Sequence, residues 1–112
     1  DGLSVGSMIR NIVVGRLRHA DDPSRAAADS AQLDAALAAL EALPCVGRVA
    51  SRVGRDAGLR EGGWDFAITN DWVDEDAYRV YDLDPEHNRL RTEVFGPVCT
   101  DIARVQLVLP DA

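Results

Sequence analysis

In the stretch YDLDPEHNRL, residues 81–90, Tyr81 and His87 stand six positions apart on either side of the helix-start signal Asp84-Pro85. An imidazole titrates close to neutral pH and can take a proton from carbon. A phenol O–H can hold a carbonyl oxygen while negative charge builds on it. As functional residues, His87 would serve as a base and Tyr81 as a donor to a carbonyl oxygen. The same residues also fit a plain helix start. In that reading Asp84 is the N-cap, Tyr81 is core with a satisfied hydroxyl, and His87 bonds a carbonyl or water and pins the helix to the sheet. Asn11 is the third candidate, because it interrupts an apolar strand face and a buried amide needs partners. It either satisfies neighbouring protein groups or orients a ligand, and it cannot exchange protons near neutral pH.

The remaining polar residues carry weaker signals. His19 precedes Asp21-Asp22 and reads as part of a solvated loop. The pair Asp21/Asp22 and the run Asp74-Glu75-Asp76 have the oxygen ligands a divalent cation needs, but helix capping explains them better. Cys45 and Cys99 are too few for a disulfide framework or a zinc site and read as small buried hydrophobes. The glycines at 54, 58, 62 and 63 match no phosphate-binding or dinucleotide fingerprint. Arg48, Arg52 and Arg104 are candidates for a cationic lining on the sheet face or for interface salt bridges. No Ser-His-Asp set, metal-ligand cluster or cofactor signature is present, so neither metal nor cofactor is expected.

Four strands and two helical segments must position these groups. MIRNIVVGRLR, 8–18, is a strand with Ile9, Asn11, Val13, Gly15 and Leu17 on one face and Arg10, Ile12, Val14, Arg16 and Arg18 on the other. Asp22-Pro23 starts a helix whose stripe Leu33, Leu37, Leu40 and Leu43 runs until Pro44 stops it. VGRVASRVGR, 46–55, is a second strand, followed by the loop DAGLREGG at 56–63. WDFAITNDW, 64–72, is a third, with Trp64, Phe66 and Ile68 on one face. Asp74 caps a helix that turns Ala77, Tyr78 and Tyr81 inward, and Asp84-Pro85 re-caps it towards Phe95, with Gly96-Pro97 as the stop. DIARVQLVL, 101–109, is the last strand. The order β-α-β-β-α-β is the ferredoxin-like plan of an α+β fold: a four-stranded antiparallel sheet with its helices on one face. The other face, with Ile12 and Val14 on it, then needs a cover of its own.

Composition narrows the function classes. At 112 residues the chain is one domain, expected over 8–112 behind a flexible leader at 1–7. With 46% hydrophobic and 28% charged residues it has enough apolar content to build a core. A net charge of −7 argues against nucleic acid as the main partner. All the basic residues are arginine, and with abundant alanine this suggests a GC-rich bacterial genome. No apolar run approaches the ~20 residues of a membrane helix, and no secretory signal is visible. A cytoplasmic protein without membrane contact is expected.

MIRNIVVGRLR, WDFAITNDW and YRVYDLDPEHNRL, in that order and spacing, resemble the stress-responsive dimeric α+β barrel (Dabb) family, from Met8 to Leu109. The tyrosine followed by Asp-Pro-Glu-His at 81–87 is the most specific of the three; the others are general strand patterns. The resemblance implies a homodimer whose two sheets face each other as a barrel, and a cavity between sheet and helices. A distantly similar plant member, olivetolic acid cyclase, closes a polyketide chain by aldol condensation without metal or organic cofactor. It uses a first-strand histidine, a tyrosine before the helix and a histidine after the proline. These positions fall on Asn11, Tyr81 and His87, and the asparagine departs from the pattern at the first. The resemblance thus implies Tyr81 and His87 as catalytic residues on a small carbonyl or polyketide-like substrate. Asn11, Trp64, Phe66 and Tyr78 are the candidates for its lining, with Trp64 as a core or interface aromatic the simpler reading. The alternative is a non-catalytic stress-responsive dimer that binds a ligand or serves structure. An open polar cavity at Asn11, Tyr81 and His87 would favour the enzyme, and one filled by side chains the alternative.

Overall fold

The computed structural model describes residues 7–110. The leader expected at 1–7 therefore lies outside the described residues except for Ser7. β1 (Ile9–Leu17), α1 (Pro23–Ala42), β2 (Arg48–Arg55), β3 (Phe66–Trp72), α2 (Glu75–Asp82), α3 (Pro85–Arg89) and β4 (Cys99–Val108) follow in that order. The strands form one antiparallel sheet in the order β2-β3-β1-β4, with the helices packed on one face. This is the expected β-α-β-β-α-β arrangement.

Local chemistry sets the helix starts. The Asp22 carboxylate accepts the Ser24 N–H at 3.1 Å, with Pro23 opening α1 where a missing N–H is harmless. Asp74 accepts from the Ala77 N–H at 2.8 Å, and Asp84 from the His87 N–H at 2.9 Å. α1 ends where Arg48 donates to the carbonyls of Leu40, Glu41 and Leu43 at 2.7–3.0 Å, satisfying acceptors the helix end leaves open. Leu33, Ala36, Leu37 and Leu40 pack on Phe66 and Ile68 of β3 and on Leu90 and Phe95. Each such buried leucine stabilises the fold by about 1.5–3 kcal/mol. A second cluster joins Ile9, Trp72 and Tyr81.

The expected alternation holds on β1 from Ile9 to Gly15, but the register shifts at Arg16/Leu17, and Arg18, expected on the other face, pairs with Asp29 of α1. The ladder pairs define rungs across the helix-covered face. Ser51, Asn70, Asn11 and Gln106 form one polar rung. Val53, Ile68, Val13 and Arg104 form the next, and Phe66, Gly15 and Ile102 continue beyond it. On the helix-free face Ile12 lies between Thr69 and Val105, and Val14 between Ala67 and Ala103.

Several expectations need correcting. Gly96-Pro97 does not stop the last helical segment. After α3 the chain widens into a π-helical turn, Leu90–Phe95, closed by the Gly96 N–H on the Arg91 carbonyl, and makes a final turn over Gly96–Val98. Pro97 opens that final turn, where proline needs no donor. Trp64 does not share a face with Phe66 and Ile68. β3 begins only at Phe66, and the indole lies 3.9 Å from the Arg16 guanidinium, a residue of the opposite face. Asp65, between them, is held by β1: its N–H donates to the Gly15 carbonyl and its carboxylate accepts the Leu17 N–H. Arg48, Arg52 and Arg104 do not form one lining either. Arg48 caps α1, Arg52 pairs across from Thr69 on the helix-free side, and Arg104 faces the helices. Cys45 and Cys99 are free and only partly buried.

Candidate functional site

Tyr81, at the end of α2, and His87, in α3, meet ring to ring. Their centroids are 4.1 Å apart with 32° between the planes. The reversal at Asp84-Pro85 makes this contact, because it turns α3 back so that the third residue after the cap returns to the side chain three before it. Behind Tyr81 lies Trp72 of β3, at 4.6 Å between rings, and Tyr78 completes the aromatic group at 6.5 Å from Tyr81.

These rings form one wall of a cavity of about 70 Å³ between sheet and helices. Asn11, Val13, Phe66 and Ile68 make its floor, Tyr78, Tyr81 and His87 its wall, and Asp82, Arg91 and Arg104 bring charge to it. Of the expected site residues, Tyr81, His87, Asn11, Phe66 and Tyr78 come together here. Trp64 does not; it stays on the far side of the sheet with Arg16. His19 is exposed on its loop, as the aspartates beside it suggested.

Burial governs the ionisation of the wall. It pushes the Tyr81 phenol well above its ordinary value, so Tyr81 is a hydrogen-bond donor at any physiological pH. Tyr78 moves the same way, again through burial and then through the Asp82 carboxylate. His87 moves down from 6.5, because burial disfavours the imidazolium more than the nearby Asp82 carboxylate supports it. Arg91 adds to the lowering. The ring is therefore neutral at pH 7. Its Nδ1 is buried without a hydrogen-bond partner among the described residues, and the Asp82 backbone carbonyl near the ring adds to the support for the charged form. Asp84, engaged by the His87 backbone N–H, makes only the least of the contributions favouring the charged ring.

Asn11 is 4% exposed, and its Oδ1 accepts from Gln106 Nε2 at 2.9 Å. With the carbonyl oxygen occupied, the N–H side of the amide is what remains for a ligand. Burial raises both the Cys45 and Cys99 thiols, which argues against a thiolate nucleophile at either position. No group of three or more His, Cys, Asp or Glu side chains suited to a metal occurs among the described residues. No helix among them is long and apolar enough to cross a membrane.

Sequence reasoning missed Asp82 and Arg91 and did not foresee that Arg104 would reach the cavity. Arg91 lies four residues after His87, a spacing that places two side chains on one helix face. Arg104 alternates with Ile102 and Gln106 along β4, and only the pairing of β4 with β1 shows which face that is.

No protein-family model and no curated protein matches the sequence. Solved structures do. The chain is similar to a dimeric ferredoxin-like protein of unknown function from Thermobifida fusca, with 27% identity, 97% of each chain covered and a TM-score of 0.71. It is similar to a Dabb family protein with a ferredoxin-like fold from Mesorhizobium loti, at 22% identity over 94% of this chain and 99% of that one, TM-score 0.71. It is also similar to a hydroxynitrile lyase from Passiflora edulis, at 16% identity over 96% and 97% of the two chains, TM-score 0.68. The α+β ferredoxin-like fold is thus shared with a Dabb family protein, and the resemblance carried by residues 8–109 is borne out at the level of the fold.

Proposed function

We propose that this chain, built on the ferredoxin-like fold it shares with a Dabb family protein, is a homodimeric enzyme that removes a proton next to a carbonyl. It does so without a cofactor, in cyclase, aldolase-type or isomerase chemistry, within a single domain over residues 8–112. The observation that carries the reading is the neutral His87 ring against the protonated Tyr81 phenol in a cavity floored by Asn11. His87 takes the proton from carbon and becomes imidazolium. The electron pair moves onto the carbonyl oxygen, which receives a hydrogen bond from the Tyr81 hydroxyl, and Asn11 orients the substrate through its N–H groups. The proton then returns to product, so the enzyme ends each cycle unchanged. A base whose pKa lies below 6.5 is weak, and it matches a C–H flanked by two carbonyls far better than one beside a single ketone. That matching, together with a small cavity whose floor is mainly apolar, supports a compact 1,3-dicarbonyl substrate. The similar fold of a hydroxynitrile lyase supports the same scaffold hosting small-molecule chemistry.

The dimer rests on the helix-free sheet face. Val105 and Leu107 there are 48% and 42% exposed, next to Ile12 and Val14. Shallow depressions border this face at Ile12 and Thr69 and at Val14 and Trp64. A sheet face with an apolar strip of this kind, bordered by the Arg10–Asp71 pair and Arg52, is suited to a second sheet. The similar protein from Thermobifida fusca is described as dimeric.

The test is exchange of the single C2 proton of ethyl 2-methyl-3-oxobutanoate for deuterium, followed by NMR with and without protein. The protein should accelerate exchange, and His87→Ala should reduce the acceleration by about 10²–10⁴-fold, the usual contribution of a general base. Tyr81→Phe should also reduce it while keeping the fold. No acceleration by the wild-type protein, or equal acceleration by His87→Ala, would sink the reading.

A further inference from the structure

We infer that the cavity selects an anionic ligand, a small carbonyl compound bearing a carboxylate, through Arg91 and Arg104. The inference rests on the proposed reaction only for where the carbonyl sits; the charge recognition stands on the arginines themselves.

Arg91 and Arg104 are the two arginines in the lining of this cavity. Arg10, Arg18, Arg55, Arg79 and Arg89 each hold a carboxylate, at 2.6–2.9 Å. Arg48 donates to three helix carbonyls, and Arg16 lies over Trp64. Arg91 and Arg104 both line the cavity, and neither has an acidic partner among the described residues. Arg91 Nη2 donates to the amide oxygen of Asn88 at 2.9 Å, a neutral acceptor. Arg104 makes no hydrogen bond or ion pair among the described residues, although the chain has 19 acidic residues to 12 arginines. Arg25, Arg52 and Arg60 also have no carboxylate partner among the described residues, but none of them lines this cavity, whereas Arg91 and Arg104 line it together.

Their placement comes from the backbone. Arg104 lies across from Val13 on the rung next to Asn11, on the face that holds the floor of the cavity. Arg91 stands at the start of the π-helical turn, four residues beyond His87. Arg104 therefore belongs to the sheet side of the cavity and Arg91 to the helix side, and a guanidinium is well suited to bind a carboxylate. Arg91 and Phe95, four residues apart, share one face and both line the cavity, and the π-helical turn that carries them is an irregularity of the kind often found at binding sites. Asp82 is the one carboxylate in the lining. Two cations against one anion leave the cavity with a net positive charge when His87 is neutral. A ligand with its carbonyl at Tyr81 and His87 and its carboxylate at the arginines spans the apolar floor of Val13, Phe66 and Ile68.

A matched pair of probes tests this: 1-ethyl 3-oxohexanedioate, a 1,3-dicarbonyl with a distal carboxylate, and its uncharged diethyl ester. Binding is measured by calorimetry at two salt concentrations, and C2 deuterium exchange by NMR on the same samples. The monoanion should bind roughly tenfold tighter than the diester, as expected for charge-assisted bonds at a partly solvated rim, and added salt should narrow the gap. Arg104→Met and Arg91→Met keep the aliphatic stem, and each should abolish most of the preference without weakening the diester. Asp82→Asn should tighten the monoanion alone, a gain that a damaged fold cannot mimic. Equal affinity for the two probes, or a preference that survives in both arginine variants, would overturn the inference. Preference for the monoanion without catalysed exchange would instead leave it standing and refute the proton-abstraction reading.

Discussion

Gly15 faces the ring of Phe66, and the substitution Gly15→Ala tests how the cavity is shaped. A methyl carbon built at Gly15 would lie 3.1 Å from Phe66 Cε2, with Cζ and Cε1 closer still. Carbon atoms rest at about 3.5–4.0 Å, so the ring must retreat on the order of 1 Å. Phe66 is 2% exposed, and Phe95 stacks on it at 5.8 Å between centroids, so retreat into the core meets packed atoms. The cavity, which Phe66 lines, is the space left. Overpacking of this kind costs about 1–3 kcal/mol. In a domain of this size that lowers Tm by roughly 5–20 °C. Thermal and urea unfolding at one fixed protein concentration would measure it, since an oligomer's stability depends on concentration. Affinity for a 1,3-dicarbonyl probe should fall in the same variant, because the displaced ring narrows a cavity of only about 70 Å³. The double substitution Gly15→Ala/Phe66→Leu relieves the clash, so its loss should be smaller than the two single losses added, by about 1 kcal/mol or more. Strict additivity, or a Gly15→Ala protein within about 0.5 kcal/mol of wild type, would refute the reasoning.

Two further outcomes follow from the site and the sheet. Because burial lowers the His87 pKa below 6.5, the unfolded chain binds more protons between the two values; stability should be full above pH 6.5 and fall as pH drops through that window. Urea unfolding from pH 7.5 to 5 should show this slope in wild type and its loss in His87→Gln, and an NMR titration midpoint of His87 above 6.5 would contradict it. Sedimentation at low micromolar concentration should give a dimer with no folded monomer, the interface burying on the order of 2,000 Å² or more in total; a stable wild-type monomer would remove the argument from the sheet face.

Much of this architecture is legible in short windows of sequence. Asp22-Pro23, Asp74 and Asp84-Pro85 announce helix starts because capping is a contact between neighbours in the chain, and all three make it. The leucines of α1 and the alternation of β1 are read the same way. What escaped depends on contacts between distant residues. Trp64 breaks the alternation of its strand because β1 holds Asp65 beside it. Asp29 lies inside a helix that looks amphipathic without it, yet it is 6% exposed and paired with Arg18 at 2.7 Å. Arg104 could be assigned to the cavity only once β4 was paired with β1. The π-helical turn has no reliable signature of its own, and Gly96-Pro97 reads as an ending in any local window.

The polar rung Ser51–Asn70–Asn11–Gln106 bears on how the strands find their partners. A slip of one residue moves every apolar side chain to the wrong face and is strongly disfavoured. A slip of two residues is different, since inward side chains stay inward and the alternating pattern is preserved. The rung is what changes. After such a slip Asn11 would face Trp72 or Ile68 in place of Asn70, and the Asn11–Gln106 bond would be lost. Even in register the rung is costly, because Asn70 is 1% exposed and neither its amide nor the Ser51 hydroxyl has a partner in the described residues. An unpaired buried group of this sort costs about 1–3 kcal/mol. A row of apolar side chains in its place would be cheaper to bury and indifferent to the two-residue slip. The bonded pair Asn11–Gln106 thus acts as an index mark between β1 and β4, favouring one alignment that hydrophobic patterning alone leaves degenerate.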